Sequence, residues 1–116
     1  MKSKDNTAVF SVVSGEKVKT LQANFKKAFG PTLRVYKGQH FADENAELGE
    51  LVKDGMKDGY VKINGDSIVE EFEKRFKEIT GITVQVATPD NSGLAKNNIS
   101  LLEAGMFIST KQSESK

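Results

Sequence analysis

The chain has 116 residues, of which 37% are hydrophobic and 28% are charged, and its formal net charge is +1. This length and apolar content suit one folded domain with a core of its own, and they differ from the composition of a disordered chain. A net charge near zero creates no global field that would attract nucleic acids or membranes. The absence of cysteine excludes disulfides, thiol catalysis and thiolate metal sites.

The first residues, MKSKDNTAVFSVV, carry polar side chains where a secretory signal peptide requires an unbroken apolar segment. No apolar run approaches the roughly 20 residues that a membrane-spanning helix needs. The sequence therefore predicts a cytoplasmic protein that does not enter a membrane.

The first half of the chain predicts a strand, a long helix, a second strand and a short helix. Its first strand is rich in β-branched and aromatic residues and ends at a glycine turn. Apolar residues from Val18 to Phe29 recur at helical spacing, and Gly30 follows them; glycine ends a helix easily because it adopts a left-handed conformation without strain. The predicted bounds are 9–14, 18–29, 32–37 and about 46–53.

The second half predicts the same succession of elements. Ser67 and Glu70 have the spacing of a capping box, in which two side chains satisfy free amides of the first helical turn. Gly81 ends the second long helix as Gly30 ends the first. The predicted bounds are 60–64, 68–79, 82–88 and about 99–104, then the start of a strand at Met106–Thr110 and a flexible tail at 111–116.

The two halves align with each other, and this alignment predicts two repeats of about fifty residues. The segment FSVVSGEKV matches YVKINGDSI, which aligns Phe10 with Tyr60. After a shift of one residue, LQANFKKAFGPTLRV matches FEKRFKEITGITVQV, which aligns Phe25 with Phe76. The punctuating glycines recur in the same order, so duplication explains the pattern better than chance.

Two such repeats predict an α+β fold. We expect a single domain over 1–116, with the repeats at about 8–55 and 59–105, forming one sheet of roughly four strands with the two long helices on one face. A ferredoxin-like arrangement, in which the two β-α-β units interlock about a pseudo-twofold axis, is favoured. A parallel α/β sheet is the competing topology, because β-α-β crossovers also build that.

The residue types that carry catalysis are sparse. The only histidine, His40, has no nucleophile elbow near it, and one histidine without cysteine does not make a zinc site. Neither Asp43-Glu44-Asn45 nor Asp54-x-x-x-Asp58-Gly59 has the alternating spacing of a calcium loop. The glycines form no phosphate-binding loop. The sequence predicts no catalytic residue, no metal and no cofactor.

Two features indicate a binding surface. Strand side chains alternate, and if residues such as Val13, Leu33 and Ile63 face the helices, the far side of the sheet carries aromatic and basic residues. The first long helix also carries several lysines with no acid among them. The candidate surface consists of Phe10, Arg34, Tyr36, Tyr60 and Lys62 on the strands and Lys19, Lys26 and Lys27 on the helix.

Three uses of this sheet face remain open at this stage: cover by the short helices, contact with a protein partner or a second copy, and nucleic-acid binding. The first two give a non-enzymatic protein-interaction or adaptor module, with a homodimer as one of its forms. The alternative function is single-stranded nucleic-acid binding, in which aromatic rings stack on bases and lysines contact phosphates.

The segment VKTLQANFKKAFGPTLRVYKGQHFADENAEL, together with GITVQVATPDNSGLAKNNISLLEA, resembles small bacterial proteins usually labelled hypothetical. The resemblance covers roughly 18–104. It implies no activity, ligand or catalytic residue.

Overall fold

The computed structural model describes residues 7–52 and 59–106. The elements of the first range are β1 (Thr7–Val12), α1 (Val18–Phe29), β2 (Thr32–Lys37), β3 (His40–Phe41) and a 3₁₀ helix (Leu48–Leu51). The elements of the second range are β4 (Gly59–Asn64), α2 (Val69–Thr80), β5 (Thr83–Ala87) and α3 (Leu101–Met106). The predicted tail at 111–116 lies outside the described residues, and the expected strand at Met106–Thr110 is not found at its first residue, which ends α3.

The described strands form two antiparallel sheets. β1 pairs with β4 in one sheet, and β2 pairs with both β3 and β5 in the other. The α+β class is thus confirmed, but the structure has two sheets where we expected one sheet of roughly four strands. The reason is that each long helix connects strands of different sheets, and each of these strands pairs with its counterpart in the other half of the chain.

The two long helices bury the aromatic stripes that their spacing predicts. Phe25 of α1 and Phe72 of α2 stack with 5.2 Å between their ring centroids, which joins the two halves in one core. The stripe on α2 differs from the prediction at its ends, because Ile68 and Ile79 are exposed while Val69 and Thr80 are buried. The buried Thr80 hydroxyl donates to the Phe76 carbonyl at 2.8 Å, so its burial leaves no unsatisfied donor.

Strand β1 presents the opposite face to the one we expected. Phe10 and Val12 lie in the core, and the exposed positions are Val9 and Ser11. The reason lies in the pairing of β1 with β4, in which Phe10 stands opposite the buried Val61 and Ser11 stands opposite the exposed Tyr60. A shift of one residue moves every side chain of a strand to the other face.

Backbone carbonyls, rather than side chains, cap the first turn of both long helices. In the first half, the Val18 and Lys19 amides donate to the carbonyls of Ala46 and Glu44, both at 2.9 Å. In the second half, the corresponding donors and acceptors are Val69 to Ile99 at 2.8 Å and Glu70 to Asn97 at 3.1 Å. The predicted capping box at Ser67 and Glu70 is therefore wrong, since α2 begins one residue later and has no side-chain cap.

A reciprocal capping box does occur at α3. The Ser100 amide donates to Glu103 Oε1 at 3.0 Å, and the Glu103 amide donates to Ser100 Oγ at 3.1 Å. Gly30 and Gly81 end α1 and α2 with positive φ angles of 106° and 83°, as the sequence predicts. No helix in the described ranges has the length and apolar character needed to cross a membrane.

Candidate binding surfaces

The outer face of the β1–β4 sheet is an open surface with an aromatic centre. Tyr60 is 77% exposed and Val9 is 62% exposed. In the register of the two strands, Tyr60 lies opposite Ser11 and Lys62 lies opposite Val9, so all four side chains share one face. We call this surface the Tyr60 face.

The outer face of the other sheet carries a second aromatic group. The Tyr36 and Phe41 rings lie 5.1 Å apart between centroids, and the Arg34 guanidinium lies 5.8 Å from the Phe41 centroid. The Tyr36 hydroxyl donates to Gln85 Oε1 at 2.6 Å. Phe41 itself is 66% exposed. We call the surface formed by Arg34, Tyr36, Phe41 and Gln85 the Arg34 face.

Two cations of the predicted surface are engaged in holding a turn. Arg34 donates to Asn91 through Nε at 2.8 Å and through Nη2 at 3.2 Å, and Asn91 has a positive φ of 60°. Lys26 Nζ donates to the Pro89 carbonyl at 2.6 Å. Hydrogen bonds from Thr88 and Ser92 to its carboxylate lower the pKa of the exposed Asp90 in the same turn. These side chains therefore shape the turn that follows β5.

The predicted surface residues divide into several places. Tyr60 and Lys62 lie on the Tyr60 face, Arg34 and Tyr36 lie on the Arg34 face, and the lysines at 19, 26 and 27 are exposed on α1. Phe10 does not belong to any surface. Its side chain is 5% exposed, and its ring packs 6.0 Å from Phe29 and 6.3 Å from Phe25 between centroids.

The short helices do not cover either outer face. Leu48 and Leu101 insert into the shared core, and Leu102 packs beside Gly65 at the end of β4. Val9 and Phe41, which are exposed on these faces, were missed by the sequence reasoning. The sequence of β1 carries no signal for Val9, because the face of this strand follows from its pairing with β4. The signal for Phe41 was the glycine at position 38, whose φ is 64° in the turn between β2 and β3.

Glu73 is a partly buried acid that joins α2 to β5. Its Oε2 accepts a hydrogen bond from the Val86 amide at 2.8 Å. Burial raises the pKa of the Glu73 carboxyl above its ordinary value of 4.5, the Val86 hydrogen bond opposes this shift, and the nearby Glu70 carboxylate adds to it. The charged form is thus disfavoured in the folded protein.

This shift predicts that Glu73→Gln stabilises the protein at neutral pH. When folding raises the pKa of a carboxyl group, the protonated group contributes stability at a pH below the pKa of the unfolded chain. This contribution is lost as the pH rises through the pKa of the folded state. The amide keeps an acceptor for Val86 but carries no charge, so the stability difference between variant and parent should shrink as pH falls from 7 to below 4.5. Urea unfolding at several pH values measures it.

Glu78→Gln, on an exposed position of the same helix, is the matched control and should show little difference at any pH. If Glu73→Gln is less stable than the parent at neutral pH, the carboxylate is stabilising and our interpretation of its burial is wrong.

The described residues offer no group of three His, Cys, Asp or Glu side chains placed to hold a metal ion. His40 lies exposed on β3, opposite Lys37. No protein-family model, curated protein or solved structure matches this chain.

Proposed function

We propose that this protein is a non-enzymatic protein-interaction module and that its contact surface is the Tyr60 face. The observation that carries the proposal is the 77% exposure of Tyr60 near Val9, which is also exposed, at 62%. Large apolar side chains exposed together on a sheet face are typical of sites that bind other proteins.

The composition of the Tyr60 face supports this proposal. A tyrosine ring brings a large contact area at a small cost in conformational entropy, and tyrosine is enriched among the residues that dominate binding energy. Val9 extends the apolar area, whereas Ser11 and Lys62 supply polar groups beside it. An apolar centre with polar neighbours is the arrangement that protein interfaces use.

The test replaces Tyr60 by serine. We expect Tyr60→Ser to weaken association by about tenfold or more, because it removes the largest apolar group of the face. Analytical ultracentrifugation over a range of concentrations reports self-association, and pull-down from a cell extract with identified partners reports association with other proteins. Tyr36→Ser, which changes the same residue type on the Arg34 face, is the matched control.

If Tyr60→Ser associates as strongly as the parent in both the ultracentrifugation and the pull-down, the proposal is wrong. A loss of self-association confined to Tyr60→Ser supports the homodimeric form, and a loss confined to the pull-down supports an adaptor. Urea unfolding of the variant checks that the fold survives, which we expect because the side chain lies outside the core.

The alternative function, single-stranded nucleic-acid binding, rests on the exposed Phe41 ring of the Arg34 face. Phe41 is open to stacking, and Arg34 lies over it. However, Arg34 and Lys26 donate their hydrogen bonds to the 88–92 turn, which reduces their capacity for phosphates. Binding of a labelled oligonucleotide that weakens steeply with salt and is lost in Tyr36→Ser but retained in Tyr60→Ser would favour this alternative.

We also propose that the chain is a tandem duplication with a pseudo-twofold axis between its halves. The two helix-capping loops, with their matching pairs of backbone hydrogen bonds, support it. In the alignment that these bonds define, Phe10 corresponds to Val61 and Arg34 to Gln85. These same residues stand opposite each other in the two sheets, as a twofold axis through both pairs requires.

A further inference from the structure

A groove with a volume of about 340 Å³ runs between strand β4 and helix α2. Four consecutive residues, 61–64, line one wall, and Phe72, Arg75 and Phe76 line the other. Consecutive residues of a strand point to alternate faces, so a groove lined by all four of them runs along the edge of the strand. The groove therefore offers an apolar floor together with the backbone of β4.

No described strand lies beside the edge of β4 that borders this groove. Of the described strands, only β1 pairs with β4, and it takes the other edge. An unpaired edge presents a row of backbone N–H and C=O groups that an incoming strand can bind. A helix that runs beside such an edge supplies the second wall for the side chains of the incoming strand.

The rim of the groove is more positive than negative. Lys62 and Arg75 lie on it, and Glu71 is its only acid among the described lining residues. Within the described part of the chain, neither cation forms a hydrogen bond or an ion pair. Exposed cations on both walls favour a ligand that carries carboxylates.

Two positions that line the groove carry bulkier residues in the first half of the chain. Phe10 corresponds to Val61, and Glu16 corresponds to Ser67, since Leu48 and Leu101 donate the same backbone hydrogen bond to Glu16 and Ser67. Phe10 is packed against Phe29, and Glu16 buries one carboxylate oxygen. At these two positions the second half carries the smaller side chains, Val61 and Ser67.

We propose that this groove binds an extended acidic segment of a partner protein, which adds to β4 as an antiparallel or parallel strand. The added strand gains main-chain hydrogen bonds from the edge of β4, places alternate apolar side chains over Phe72 and Phe76, and directs its carboxylates towards Lys62 and Arg75. The inference rests on the proposed function in that the protein binds other chains, but its site is the groove, which shares Lys62 with the Tyr60 face and does not include Tyr60 or Val9.

The test uses a fluorescently labelled, N-acetylated hexapeptide that alternates valine with glutamate, titrated with the full chain in a polarisation assay. We expect saturable binding, and binding weakened by about tenfold in Arg75→Glu because a cation on the wall becomes an anion. Lys74→Glu makes the same charge change one residue away, at an exposed position that does not line the groove, and should bind nearly as the parent does.

A second variant tests the shape of the groove without changing charge. Ser67→Gln places a longer side chain at a position that lines the groove, and it should also weaken peptide binding. Circular dichroism melting of each variant verifies folding, and Arg75→Gln replaces Arg75→Glu if the latter unfolds.

No binding of the peptide to the parent chain, or equal weakening by Arg75→Glu and Lys74→Glu, would overturn the inference. Neither result bears on the Tyr60 face, which is tested separately by the effect of Tyr60→Ser on protein association. Tyr60→Ser itself should not change peptide binding. Conversely, peptide binding that needs Arg75 but not Tyr60 supports the groove whatever the pull-down with Tyr60→Ser shows.

Discussion

Replacing Phe25 by alanine should lower the free energy of unfolding by about 3–5 kcal/mol, as expected for truncation of a large buried aromatic side chain. Its ring lies at the centre of the core, in contact with Phe10, Phe29 and Phe72. Replacing Phe76 should cost somewhat less, because Phe76 is equally buried but, among the described residues, its ring contacts one aromatic ring, that of Phe72, rather than three. Equilibrium urea unfolding measures both values.

Ile79→Ala is the matched control for these two substitutions. Ile79 is a large apolar residue of α2 with 51% of its side chain exposed, so its truncation should change stability by about 0.5 kcal/mol or less. If Phe25→Ala costs no more than Ile79→Ala, Phe25 does not lie in the core. If Phe76→Ala costs more than Phe25→Ala, the number of aromatic ring contacts does not decide the difference between these two buried positions.

The helices were the most predictable part of this fold. The stripe from Val18 to Phe29 sets both ends of α1, because its apolar spacing and the glycine after it are local features. The start of α2 was misplaced by one residue, since its first amides are capped by the carbonyls of Asn97 and Ile99. A cap provided by a distant loop leaves no signature in the sequence of the helix.

The face of β1 could not be deduced from the strand itself. In the duplication that we propose, aligning Phe10 with Tyr60 because both are aromatic places the first strand one residue out of step with the rest of the alignment. The hydrogen bonds of the loops remove that shift and align Phe10 with Val61. Strand faces follow from pairing with a strand far along the chain, which local composition does not determine.

The sequence predicted the candidate surface correctly on β4, where the alternation of side chains along the strand is enough to decide which residues are exposed. Tyr60 and Lys62 are exposed because they alternate along β4 with the buried Val61 and Ile63. The engagement of Arg34 by Asn91 could not be foreseen, because the two residues are separated by 57 positions. Contacts of this kind depend on the pairing of β2 with β5 and appear only in the folded chain.

Replacing Gly105 by alanine is the second substitution for which we expect a large effect. In an ordinary helix this change is favourable by about 1 kcal/mol, because alanine has the higher helix propensity. In α3 the added Cβ would overlap the Phe29 carbonyl oxygen and would lie 3.0 Å from the Gly30 Cα. Both obstacles are backbone atoms at the end of α1, so they have little freedom to move. We therefore expect destabilisation by about 1–3 kcal/mol.

The sign of this effect identifies its cause. Gly15→Ala is the matched control, because an added Cβ there meets nothing within 4 Å, and we expect it to be neutral or slightly stabilising. Thermal and urea unfolding of the two variants compare them directly. A neutral or stabilising Gly105→Ala would show that α3 does not pack against the end of α1 in solution. The packing of α3 against α1 would then be wrong. The strand pairing within the two sheets does not involve α3 and would not be affected.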